Sequence, residues 1–306
     1  MSERTIFVIG NANLDLVTGC IDDWPEPGTE IFLPQSDFRT GGSAANTALA
    51  LQRLQHPCGF LSAVGSDSAG RMIAQQFSGP LDRVAALPLR TSISVGILHA
   101  CAERTFFSTN GHLDRLDLAF FQTVTENVDM SASLALLSGA FTMPALLPDH
   151  DALLRSLRER GAETAIDPGW PGEGWTPEVR SRATAWLERA DHVLLNEKET
   201  AGLAAADTLD EALIWFAPRL RKGARLIVKR GPEGALCLCD GTVVECGARD
   251  LSVFDTVGAG DAFNAGYLHA VASGAPIRQA LARGIDVAGR VISEFPRSSS
   301  PLEPAA

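Results

Sequence analysis

Nothing in this chain approaches the about 18 uninterrupted apolar residues of a membrane-crossing helix. The apolar run near its start, Ile6 to Ile9, is far shorter than the core of a secretion signal. The expectation is a soluble, cytoplasmic protein with no membrane partner. Basic residues are outnumbered, 26 Lys plus Arg against 37 Asp plus Glu, for a formal charge of −11. That argues against a nucleic-acid partner, which needs a basic face, but leaves room for an anion held by local dipoles. The cysteines, Cys20, Cys58, Cys101, Cys237, Cys239 and Cys246, form neither C-x-x-C nor a His/Cys ladder. A zinc centre is therefore not expected, and the cysteines read as reduced structural thiols. No phosphate-binding G-x-x-x-x-G-K-[ST] occurs, and a dinucleotide loop fails because Phe263 stands where G-x-G-x-x-G needs its last glycine. No Ser-His-Asp spacing stands out among the six histidines.

What is present is a core-forming chain, 45% hydrophobic and 21% charged, which excludes wholesale disorder. Short apolar runs alternate with helical patterns. The strand-like runs are Thr5–Ile9, Gly59–Val64, Leu134–Ser138, Glu163–Ile166, His192–Leu195 and Arg225–Val228. The helical patterns are Ser43–Leu54, Asp149–Arg160, Pro177–Arg189 and Leu209–Leu220. Such alternation predicts βαβ units and a mainly parallel sheet covered on both faces. Two segments break the rhythm, 15–38 with three prolines and 91–107 with alternating polarity about a turn near Ala102–Glu103. Both read as antiparallel strands of a small flap over the carboxyl edge of the sheet, where α/β ligands bind. No linker or repeat divides the body, so residues 1–306 read as one domain with this flap.

The strongest motif is Asp255-Thr256-Val257-Gly258-Ala259-Gly260-Asp261, opening an apolar helical stretch toward Ala272. Small residues at a helix amino end leave N–H groups that can close on an anion, which the helix dipole favours. Asp261, in the first turn, would repel a phosphate but could take a proton from a hydroxyl attacking one. Alone, the stretch reads equally as a tight entry turn with a capping acid. Gly41-Gly42 before the first long helix lets backbone approach a ligand, and Asn46 offers both a donor and an acceptor. Asn13 and Asp15 alternate after the first strand, so both can point one way and suit sugar hydroxyls, or simply form a turn. Asn196 and Glu199 can share one face at a helix start and suit a hydrated Mg²⁺, or form a cap near the surface of a cleft.

Taken together and in this order, the four elements resemble the ribokinase-like (PfkB) carbohydrate kinases over nearly the whole chain. The resemblance implies a doubly wound α/β fold with a β-flap lid, and ATP-dependent, Mg²⁺-assisted phosphorylation of a sugar hydroxyl. It makes Asp261 the base and the backbone of Gly258, Ala259 and Gly260 the anion hole. Asn13, Asp15, Gly41, Gly42 and Asn46 match sugar-contacting positions. Asn196 and Glu199 match the pair that organises Mg²⁺ and phosphate, Glu199 through water. Gly231 falls on the ATP side, and Asp255 matches a residue bordering a monovalent-cation site, which makes K⁺ a candidate. A small flap with one apolar face and open edges is marginal alone, and pairing two would cover both, as some relatives do, so a homodimer through the lid is expected. Ser43 stands where ribokinases proper have Lys, which weakens ribose as the substrate. The alternatives are a nucleoside kinase, with Phe32, Phe38, Phe106 or Phe107 as a base-stacking wall, and a catalytically silent sugar or nucleotide sensor.

Overall fold

The computed structural model describes residues 3–99, 104–294 and 298–302. The expected turn at Ala102–Glu103 and Cys101 lie outside the described residues. β1 (Ile6–Gly10) is apolar and wholly buried, as a central strand covered on both faces must be. The chain then makes an excursion, β2 (Asn13–Ile21) and β3 (Gln35–Gly41), and returns through α1 (Ser43–Arg53), β4 (Cys58–Gly65), α2 (Ser68–Ala74) and β5 (Arg83–Leu87). A second excursion forms β6 (Ile93–His99) and β7 (Arg104–Ser108). Next come α3 (Leu118–Thr125), β8 (Leu134–Ser138), α4 (His150–Glu159), β9 (Glu163–Asp167), α5 (Pro177–Leu187) and β10 (His192–Asn196). They are followed by α6 (Glu197–Ala204), α7 (Leu209–Phe216) and β11 (Arg225–Lys229). The hairpin β12 (Ala235–Cys239) and β13 (Thr242–Cys246) precedes α8 (Ala259–Ala272) and α9 (Ile277–Ile292).

The main sheet runs β13-β12-β11-β10-β9-β8-β1-β4-β5, parallel from β11 through β5 and antiparallel at the β11–β12 and β12–β13 pairs. Alternate residues of each central strand enter opposite cores. Ile6, Val8, Leu134 and Leu136 pack with α1, α8 and α9, while Phe7, Ile9, Ala135 and Leu137 pack with α3, α4 and α5. This is the doubly wound mainly parallel sheet that the alternation predicts. β1 has β4 on one side and β8 on the other, and the chain winds outward in both directions from it. The switch in winding leaves a crevice beyond the carboxyl ends of these strands.

The two excursions form a second sheet, β3-β2-β6-β7. The expectation of antiparallel strands holds for β2–β3 and β6–β7 but fails at the central pair, since β2 and β6 run parallel. The reason is topological. β2 continues from the carboxyl end of β1 and β6 from that of β5, so both leave the same edge of the main sheet in one direction. Leu14, Val17 and Ile21 are buried, while Trp24, Phe32, Phe38 and Phe107 remain exposed.

Candidate active site

β1 ends where the backbone must turn out of the sheet, and Asn11 fastens that turn by accepting the Ala44 N–H at 3.1 Å. Two residues on, Asn13 and Asp15 fall on one face of β2, both buried, with Asn13 Nδ2 donating to Asp15 Oδ1 at 2.5 Å. Asn13 also donates to Ser94 Oγ at 3.2 Å, and Ser94 Oγ meets Ser108 Oγ at 2.8 Å, so a polar line crosses the second sheet. Gly41 is required here, because a Cβ would sit 2.1 Å from the Asp15 carboxyl carbon. Gly42 caps α1 with φ of 96°, a left-handed conformation that glycine adopts without strain.

Asn46, in the second turn of α1, donates from Nδ2 to Asp261 Oδ2 at 2.9 Å. Asp261 is the third residue of α8, whose amino end is turned by Gly258 at φ 75°. Thr47 Oγ1 reaches the Asp261 carbonyl at 3.3 Å, so α1 and α8 hold the carboxylate between them. Asn13, Asp15, Gly42, Asn46, Gly258 and Asp261 line one pocket of about 230 Å³, roofed from the second sheet by Arg104, Phe106 and Ser108. Residues more than 200 positions apart thus meet at the crevice.

A second buried cluster lies under the same helix end. Lys229, closing β11, donates from Nζ to Asp167 Oδ2 at 2.7 Å, and Asn264 Nδ2 donates to the same oxygen at 2.6 Å. A Cβ on Gly260 would lie 3.3 Å from the Lys229 ammonium, which places that charge directly beneath the glycine turn. Asn196 and Glu199 form a reciprocal capping box on α6, both bonds 2.8 Å. The expectation that Glu199 lies near the surface is corrected, for it is buried. Burial, then the Asp167 charge, pushes its carboxyl from 4.5 up to about 7 against the pull of Lys229. Burial works against the Lys229 ammonium too, yet Asp167 and Glu199 raise its pKa overall. Asp261 acts on both groups, so the two clusters are one electrostatic unit.

Other expected positions fall differently. Asp255 is buried, with Oδ2 accepting Arg39 Nη2 at 2.7 Å and Oδ1 accepting the Val257 N–H at 2.8 Å. The residue expected to border a monovalent cation thus pairs with a guanidinium from β3. Gly231 begins a turn after β11 with open space around it, outside the pocket that Asp261 lines. Of the expected aromatic wall, only Phe106 lines that pocket, while Phe38 faces a separate cavity. Sequence reasoning gave no role to Asp167, Lys229, Asn264, Arg39 or Arg104. The one available signal was Asp167, a carboxylate ending an apolar strand run just before Pro168-Gly169.

A family model described as pfkB family carbohydrate kinase matches residues 3–303. The chain is similar to a fructokinase of Salmonella typhimurium, 28% identical over 284 residues that cover 88% of this chain and 84% of that protein. An aminoimidazole riboside kinase of Salmonella typhimurium strain LT2 is 27% identical, covering 86% of this chain and 79% of that one. In fold, the chain resembles the adenosine kinase of Sinorhizobium meliloti (TM-score 0.81, 23% identity, 98% and 97% covered). The ribokinase of Arabidopsis thaliana gives a TM-score of 0.78 at 20% identity, with 98% and 96% covered.

Proposed function

This chain belongs to the pfkB family of carbohydrate kinases, and from that premise we propose that it transfers the γ-phosphate of ATP to a hydroxyl of a small sugar or sugar-like acceptor, with Asp261 as general base. The observation that carries this is the single pocket in which Asp261, steadied by Asn46, meets Asn13 and Asp15 beside the amino end of α8. Asn13 and Asp15 orient acceptor hydroxyls, and Asp261 takes the proton from the attacking one. The backbone N–H groups at Gly258, Ala259 and Gly260, with the α8 dipole behind them, hold the charge that develops on the transferred group. Closing of the second sheet over a bound acceptor would exclude water from the transfer.

Mg²⁺ bound with ATP would neutralise charge on its phosphates. Asn196 and Glu199 would hold it through water. The fit rests on two neighbouring buried carboxylates, Glu199 and Asp167, the oxygen ligands a hard cation takes. Gly231 would border the nucleotide. The short polar side chains that line the pocket suit sugar hydroxyls, whereas a nucleoside base would want a stacking wall, to which Phe106 alone contributes among the described lining residues. ADP release from Mg-ATP across a panel of sugars and nucleosides tests this reading. Release with small sugars is expected. Release with nucleosides alone favours a nucleoside kinase, and none with any acceptor favours a silent sensor.

Glu199→Gln separates the metal role from the cap. A folded pKa above the ordinary 4.5 means that stability is fully present below that pH and lost as pH rises through about 7. Gln still accepts the Asn196 N–H but cannot ionise. Its Tm is expected to match or exceed wild type at pH 8, with the difference closing near pH 5, and half-saturating Mg²⁺ is expected to rise severalfold. Unchanged Mg²⁺ half-saturation and kcat would leave the pair as a cap alone.

The exposed apolar face of the second sheet supports a homodimer through the lid. Phe107, on β7, is 57% exposed, and Phe32, in the segment joining β2 to β3, is 90% exposed. A four-stranded sheet with open edges and an apolar face gains by pairing with its copy. Light scattering at micromolar concentration is expected to give about twice the 32.5 kDa chain mass. A monomer mass overturns this.

A further inference from the structure

His112 is wholly buried and has no part in the transfer proposed at Asp261. It lies in the turn Gly111–Arg115 that follows β7, where the chain leaves the second sheet and returns to the main one. Gly111 permits the turn. Its φ is 55°, and a Cβ there would sit 2.7 Å from both the Arg90 carbonyl oxygen and the Ser92 nitrogen. The turn is thereby pressed against residues 90–92, which carry β5 across into β6. Two bonds close the contact. The His112 N–H donates to the Arg90 carbonyl at 2.9 Å, and the imidazole Nδ1 accepts the Ser92 N–H at 3.1 Å.

The second bond sets the state of the ring. A nitrogen that accepts carries no proton, so the neutral ring holds its proton on Nε2. That nitrogen is turned toward the Ala12 and Ala63 carbonyls but closes no well-aligned hydrogen bond among the described residues. Burial lowers the pKa of the ring and keeps it neutral. Packing alone does not explain an imidazole here, since a leucine of similar bulk would fill the space with no polar atom to bury. What the ring supplies is an acceptor for the N–H of Ser92, a residue itself only 2% exposed.

Ser92 is where the central strand pair of the second sheet begins. Its carbonyl accepts the Leu14 N–H at 3.0 Å, and the pairs Leu14–Ile93 and Asp15–Ser94 follow. Leu14 stands between Asn13 and Asp15, and Ser94 Oγ accepts Asn13 Nδ2 at 3.2 Å. Ser92 is thus held by His112 on its N–H, and with its carbonyl it holds the backbone between two residues of the pocket. We propose that His112 is a positioning residue for the acceptor: by gripping Ser92 it sets β6 against β2, and through that register it places Asn13, Asp15 and Ser94. The effect on turnover rests on the kinase reading above, whereas the register itself does not.

Two variants separate the accepting atom from the bulk of the ring. His112→Asn sets an amide oxygen as many bonds from Cα as Nδ1, so it can accept from Ser92, but it leaves space unfilled. His112→Leu fills the space and cannot accept. The assay uses Mg-ATP and whichever acceptor of the sugar panel releases ADP fastest. His112→Leu is expected to raise the acceptor's KM by about tenfold, with the KM for ATP within about twofold of wild type. His112→Asn is expected to keep the acceptor's KM within about threefold of wild type in spite of a lower Tm. A packing role predicts the reverse order. A Leu variant whose acceptor KM is no higher than that of the Asn variant therefore overturns the proposal, as does one that changes both KM values alike. If no acceptor releases ADP, the kinase reading has failed, and amide hydrogen exchange decides the register. Exchange at Leu14 and Ser92 about tenfold faster in the Leu variant than in the Asn variant supports it, and equal rates overturn it. Should the Leu variant fail to fold, the nitrogen NMR shifts of the wild-type ring decide. A proton on Nε2 supports the proposal, and a proton on Nδ1, which could not then accept from Ser92, overturns it.

Discussion

Replacing Asp261 by Asn is expected to lower kcat by about 10²–10⁴ while the protein stays folded and still binds ATP. The substitution is close to isosteric where it matters. Asn46 donates to Asp261 Oδ2 at 2.9 Å, and an amide oxygen turned toward Asn46 can accept the same bond. The contact from Thr47 is to the main chain and is untouched. What is lost is the proton acceptor, together with a carboxylate in the first turn of α8 worth roughly 0.3–1 kcal/mol to the helix. ATP should bind as well or more tightly, because a negative charge near its phosphates has gone. The same charge helps hold the Glu199 carboxyl up, so the variant's Glu199 should titrate lower than in wild type. Stopped-flow turnover, ATP titration and thermal unfolding together make the check. Retention of more than about a tenth of kcat rules Asp261 out as the base. A variant that fails to fold makes it a structural cap.

The parts of this molecule that sequence makes visible are those governed by local periodicity. Leu134–Ser138 is predicted as a strand with the bounds it has, and β9, β10 and β11 each run one residue further than their apolar cores. That extra residue is where the chemistry sits, for Asp167, Asn196 and Lys229 are the last residues of their strands. An apolar-run criterion stops short of them because a polar residue at a strand's carboxyl end is indistinguishable from a loop residue until the neighbouring strands are aligned. The motif residues Asn13, Asp15, Gly42, Asn46 and Asp261 converge because each belongs to a local turn or helix start at the same sheet edge. Long-range pairings are another matter. Asp255 with Arg39, and Lys229 with Asp167, join segments 216 and 62 residues apart, and nothing in either segment alone announces the partner. The parallel β2–β6 pairing was hidden likewise, since alternation shows that a strand exists and not which way its neighbour runs.

The largest stability effect is expected at one of those hidden pairs. Lys229 and Asp167 have side chains only 12% and 7% exposed, with Nζ 2.7 Å from Oδ2. Lys229→Met keeps the aliphatic stem and removes the charge. Asp167 Oδ2 then retains the Asn264 amide and Oδ1 the Gly169 N–H, neither of which neutralises it. Leaving a buried charge without its partner destabilises by about 3–5 kcal/mol, more than either exposed ion pair or helix cap in this chain could contribute. Glu199 responds in the same direction, because Lys229 is the group that pulls its pKa down, so its proton should be held to a higher pH in the variant. Tm is expected to fall by about 10 °C, at roughly 2–4 °C per kcal/mol for a chain of this size. The control is the double variant Lys229→Met with Asp167→Asn, which removes the Asp167 charge together with its partner and should regain at least half of the loss. Lys229→Met unfolding within about 2 °C of wild type, or a double variant no more stable than the single, would show that solvent reaches Asp167 and that the cluster beneath Gly260 is not the closed ion pair described.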